Sequence, residues 1–132
     1  MPRRKLGPGQ RWPRAEPHVA EFDRAAQLVR DGKLMEAEAL YRELARMDVA
    51  AAETALYLLA RLEARNLKKP EQAMGVLKEM ERRFPNGSLK RERALSLIEA
   101  LVALGRCDEA KQALGRDPGL SMEIDLASAN CP

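Results

Sequence analysis

From Ala37, apolar residues fall at Leu40, Tyr41 and Leu44. The same offsets return from Ala73, at Val76, Leu77 and Met80, and in shortened form from Ala110, at Ala113 and Leu114. Apolar positions three, four and seven residues beyond a small one share one face of a helix. The three alanines stand about 36–37 residues apart, a self-similarity that predicts an array of helix pairs rather than one globular bundle.

Extending the pattern along the chain predicts six helices. The first covers about 18–30, with Phe22, Ala25, Ala26 and Val29 on one side, and Gly32 ends it because glycine takes the left-handed conformation without steric cost. The second, about 34–47, carries the Ala37 stripe. Asp48 is placed to cap the third, about 50–65, whose apolar stripe is Leu58, Leu59 and Leu62. After a longer turn over 66–69, Pro70 suits the first position of the fourth helix, which runs to about Arg83. Pro85-Asn86-Gly87 then imposes a turn and Ser88 is placed to cap the fifth helix, about 89–104. That helix carries Ala94, Leu97, Ile98, Leu101 and Val102, and Gly105 ends it as Gly32 ended the first. The sixth, about 108–114, is cut short by Gly115 and Pro118. Beyond it the pattern fits strand or helix, and a short capping helix over about 120–129 is favoured because an array must cover its last apolar face.

Residues 1–17 break the periodicity. Pro2, Pro8, Pro13 and Pro17 with Gly7 and Gly9 predict a flexible arm, in which Trp12 is either solvated or an anchor for a partner or for the domain itself. The arm holds Arg3, Arg4, Lys5, Arg11 and Arg14 against Glu16, a net +4, so against the formal +3 of the chain the remainder is −1, close to neutral. Nucleic-acid binding would rest on that arm. Elsewhere the basic pairs Lys68-Lys69, Arg82-Arg83 and Lys90-Arg91 are interrupted by Glu71, Glu79, Glu81 and Glu92.

A content of 45% apolar residues with 4% aromatics suits a Leu/Ala helical core in the 132 residues present. No run approaches the roughly 20 apolar residues that span a bilayer. Cys107 and Cys131 leave two readings open: reduced thiols in a cytoplasmic protein, which so sparse a count favours, or a disulfide tethering the end of the chain in an oxidising compartment. No apolar signal segment follows Met1, so a cytoplasmic location is expected, or a periplasmic one if the chain is a fragment of an envelope protein.

The residues resemble the tetratricopeptide (TPR) repeat family. Gly32, Ala37 and Tyr41 match one unit; Ala73, Leu77 and Pro85 a second; Leu97, Leu101, Gly105, Ala110 and Leu114 a third. Arg24 and Glu21 depart from the pattern, as does the enlarged turn after the third helix. The resemblance implies an all-α fold: a short right-handed α-solenoid of about three TPR-like pairs over 18–118, with 119–132 as a C-terminal cap or tail. Arg83-Phe84-Pro85-Asn86-Gly87 and the run Glu99 to Arg106 also resemble divergent repeats of bacterial cell-envelope proteins, including outer-membrane assembly lipoproteins and FecR-like regulators.

In that family the first helix of each pair lines a concave groove for a peptide or partner helix. Carried onto this chain, the groove positions are Phe22, Ala26 and Val29, then Tyr57 and Arg61, then Leu95, Glu99 and Val102. The lysine and asparagine grip for a C-terminal carboxylate is missing at these positions, so that ligand class is not expected. A mostly apolar groove with isolated charges suits an amphipathic helix or mixed peptide, or a second copy of the chain. Catalysis is not expected, since the chain has one histidine, His18, and no phosphate loop, nucleophile elbow or paired metal-ligand spacing. No catalytic residue, metal ligand or cofactor is therefore assigned.

Overall fold

In the computed structural model, which describes residues 18–47, 50–126 and 131, the fold is all-α. Six helices follow one another: α1 (Val19–Arg30), α2 (Leu34–Ala45), α3 (Ala50–Arg61), α4 (Pro70–Arg83), α5 (Lys90–Ala103) and α6 (Cys107–Arg116). Each packs chiefly against its neighbours in the chain. No described helix is long and apolar enough to cross a membrane.

The recurrent alanines explain the close crossings. Ala37, Ala73 and Ala110 are all buried, and each sits early in the second helix of a pair, where a larger side chain would hold the helices apart. Around them lie two cores. The first gathers Ala25, Tyr41, Leu44, Leu56, Leu59, Leu77 and Met80 from α1 to α4, and burying a side chain such as Leu44 or Leu56 contributes about 1.5–3 kcal/mol. The second joins Met74 of α4 to Ile98, Leu101, Ala110 and Leu120, and Leu97 of α5 packs on both. Helix α5 is therefore covered on several sides, and even Arg93 is buried on it.

The turns within pairs share one register. Gly32 and Gly105 have φ of 77° and 72°, with the residues after them, Lys33 and Arg106, donating backbone N–H bonds to Leu28 (2.8 Å) and Leu101 (2.9 Å). This is the Schellman closure, in which a left-handed residue lets the last carbonyls of a helix find donors. Between α3 and α4 the left-handed position falls to Lys68, at φ 55°. There α3 widens into a π turn (Leu62–Asn66), and Lys69 donates to Glu63 across one more residue than its counterparts span, at 2.7 Å. The widening explains why α3 ends at Arg61 as a regular helix, short of the expected Arg65.

Side chains from other helices close several helix ends. Arg83 of α4 donates to the carbonyls of Ala45 (2.5 Å) and Met47 (3.3 Å) at the end of α2, and Arg93 of α5 donates to that of Phe84 (2.9 Å) at the end of α4. Such bonds satisfy carbonyls that have no partner within their own helix. The start of α5 corrects an expectation. Ser88 does not cap it; its hydroxyl donates to Glu53 (3.2 Å), whose carboxylate also accepts the backbone N–H of Leu89 (3.2 Å). Gly87 leaves room for this carboxylate, since a Cβ there would overlap it and force Glu53 to shift. The cap expected from Asp48 lies outside the described residues.

The end of the chain differs further. No α-helix begins at Leu120; Pro118–Met122 forms a 3-10 turn, consistent with Pro118-Gly119 starting a tight turn, and 123–126 is non-helical. Residues 127–130 lie outside the described set. Cys107 and Cys131 are joined by a disulfide, with Cα atoms 5.2 Å apart, so the reduced reading of the two thiols is corrected. The physical reason is the return of the chain to the start of α6, where Cys131 is buried and donates its N–H to the Leu126 carbonyl.

Candidate functional site

A cleft of about 280 Å³ opens between α1 and α3. Its apolar wall is Ala26 and Val29 from α1 with Leu58 and Leu62 from the α3 side, and Tyr41 of α2 closes it behind. Arg30, Arg61, Arg65 and Asn66 stand around it. Helical spacing accounts for the set: Ala26, Val29 and Arg30 lie three and four residues apart on α1, as do Leu58, Arg61 and Leu62 where α3 passes into the π turn. The π turn then carries Arg65 and Asn66 to the same opening.

Each arginine is already oriented. Arg30 is held by the Gln27 amide oxygen (Nη2 at 2.8 Å), and the Arg61 guanidinium lies over the Tyr57 ring, 5.6 Å from its centre. Arg65 bonds to Glu99 of α5, with Nη2 3.1 Å from Oε2. All three remain exposed at the rim, where water screens their charge and Glu99 offsets that of Arg65. Burial pushes the Tyr41 hydroxyl pKa up and the nearby Arg61 charge opposes that shift, so Tyr41 serves the cleft as a neutral donor and apolar wall.

Of the eight positions expected in a groove, the structure brings Ala26, Val29 and Arg61 together in this cleft. Tyr57 joins them through Arg61, and Glu99 through Arg65. Phe22 packs instead against the first core, its ring centre 6.5 Å from that of Tyr41. Leu95 and Val102 rest half-buried against the second core. Arg30, Leu58, Leu62, Tyr41, Arg65 and Asn66 are cleft residues that the groove assignment omitted. The spacing from Val29 and Arg61 could have found the first three; Asn66 reaches the opening only because the helix widens.

Behind the same turn lies a buried charge cluster. Glu63 is fully buried and Glu38 nearly so, and both face Arg42, whose Nη2 is 3.3 Å from Glu63 and 3.6 Å from Glu38. Burial pushes the Glu63 carboxyl up to about 7; Arg42 opposes the shift, Glu38 adds to it, and Lys69 opposes it weakly. Arg42 supplies one positive charge to two carboxyl groups, so below about pH 7 a proton on Glu63 completes the balance. Glu63 lies fully buried in the π turn that carries Arg65 and Asn66.

No protein-family model matches the chain, and neither does any curated protein or solved structure.

Proposed function

We propose that this protein is a non-catalytic protein–protein interaction adaptor that takes a peptide or partner helix in the cleft between α1 and α3. The observation that carries this reading is the pairing of an apolar wall with Arg30, Arg61 and Arg65 around one opening. An amphipathic helix that presents apolar residues at helical spacing with flanking acids complements both features. A TPR-like arrangement of three helix pairs is supported by Gly32, Lys68 and Gly105 in the same left-handed role, and by the three buried alanines that follow them at constant spacing.

Fluorescence anisotropy with a labelled Leu/Glu amphipathic peptide tests the reading. Saturable binding is expected, with the Leu/Lys version of the peptide at least about tenfold weaker and Arg61→Glu with Arg65→Glu weakening the acidic peptide by a similar factor. Equal binding of both peptides, or none of either, sinks it. Sedimentation velocity covers the alternative occupant, since a dimer that the two Glu substitutions dissociate makes a second copy the ligand.

The disulfide between Cys107 and Cys131 favours a second setting for the same cleft, the soluble regulatory or assembly domain of a bacterial cell-envelope protein. Such bonds persist in oxidising compartments and are rare in the cytosol. Alkylation of the protein in its native cells distinguishes the settings: thiols that react only after reduction support the envelope, and thiols that react at once support the cytoplasm.

A further inference from the structure

A second cleft, of about 270 Å³, lies between α4, α5 and α6 and shares no residue with the first. Its floor is Leu77, Ala94, Leu97 and Ala113, all buried or half-buried. Around this floor stand Lys78 from α4, Lys90 from the first turn of α5 and Arg116 from the last turn of α6. Among the described residues these three cations make no salt bridge or side-chain hydrogen bond. In contrast, Arg42, Arg65, Arg91 and Arg106 each face a glutamate at short range. Arg93 lines the cleft too, buried and bonded to the Phe84 and Pro85 carbonyls, and adds a fixed positive charge where water is scarce. Glu81 and Asp117 also border the opening without pairing to any of the three, so cations outnumber acids there by two.

We infer that this cleft is a binding site for a small amphiphilic carboxylate, its hydrocarbon chain on Leu77, Ala94, Leu97 and Ala113 and its carboxylate among Lys78, Lys90 and Arg116. Of the two clefts this is the more enclosed, and small-ligand pockets begin at about 300 Å³, near the volume observed. Charge complementarity fixes the head group. Arg116 offers a planar fork suited to a carboxylate, and the two lysines add point charges that a partly enclosed apolar cleft focuses. An apolar floor alone would take a neutral chain equally well; the unpaired cations give the preference for the acid.

The test is an NMR titration of the full chain, following amide shifts, with octanoate as the probe beside octanamide, acetate and an acidic Leu/Glu peptide. Octanoate is expected to give saturable shifts at Leu77, Ala94, Leu97 and Ala113, with octanamide and acetate at least about tenfold weaker. Lys78→Gln and Lys90→Gln are expected each to weaken octanoate several-fold while leaving octanamide unchanged. Both residues are exposed, so the fold should survive, and an unchanged melting temperature checks this. Rising salt is expected to weaken octanoate and not octanamide. The inference is overturned if octanamide or acetate binds as well as octanoate, if the shifts fall elsewhere or fail to saturate, if the peptide binds in place of octanoate, or if both folded variants bind like the parent.

Discussion

At the end of α1, Gly32 takes the left-handed turn and the Leu28 carbonyl receives the closing bond; at the end of α3 the same duties fall to Lys68 and Glu63. The first junction uses the residue types that make such a turn at least cost. The second places a β-carbon where the backbone disfavours one, inserts a residue as a π turn, and buries a carboxyl where its counterparts at Leu28 and Leu101 are apolar. Each departure costs stability, and all three meet at the turn that carries Arg65 and Asn66 to the α1–α3 cleft. Strain and buried charge that persist at one of three equivalent places point to a role there beyond holding the chain together.

Exchanging parts between the junctions isolates what each departure does. Leu101→Glu copies the buried acid into the α5–α6 junction without copies of Glu38 and Arg42, and is expected to cost about 3–5 kcal/mol by urea denaturation at neutral pH. A loss below about 1 kcal/mol would mean that position, rather than its partners, tolerates the acid. Glu63→Leu makes the reverse exchange. It is expected to stabilise the fold on the order of 2 kcal/mol at about pH 8, where the native carboxyl must bear its charge in a buried site, and by much less at about pH 4. The sign follows from the raised pKa: between the ordinary 4.5 and about 7 the native state holds more protons than the unfolded one, so stability declines across that window as pH rises. In Glu63→Leu the decline should disappear. The smallest effect belongs to Lys68→Gly, expected to stabilise by about 1 kcal/mol, while Gly32→Ala and Gly105→Ala lose about as much. Thermal melts of the three single variants check the opposite signs.

Much of the fold was legible because its signals are local. Gly32, Gly105 and Pro70 announce helix ends by their backbone chemistry alone, and Ala37, Ala73 and Ala110 announce the close crossings by their spacing. Lys68 carries no comparable signal, since its left-handed φ is imposed by the widened turn before it. Glu63 stands seven residues after Leu56 and four after Leu59, on the buried face of the helix, where nothing local marks the partners that let an acid sit there. Ser88 has the right chemistry for a cap, but Glu53, 35 residues earlier in the chain, takes that place, a contact that local pattern does not encode. The disulfide was one of two readings the sequence left open, with its cysteines 24 residues apart and no local signal to prefer it, and the 3-10 turn followed Pro118-Gly119 rather than the apolar spacing beyond it. In the candidate cleft, the wall residues were readable from helical spacing, whereas Arg65 and Asn66 depended on the π turn.

The α3–α4 junction differs from its two sister turns in enclosing an acid whose carboxyl burial pushes up to about 7. A ¹³C NMR titration of the Glu63 side-chain carboxyl measures this directly. The account expects a midpoint near 7, falling toward the ordinary carboxylate range when Glu38→Gln removes the neighbouring charge. A parent midpoint at about 4 to 4.5 would contradict it, because Glu63 would then be an ordinary ionised partner of Arg42.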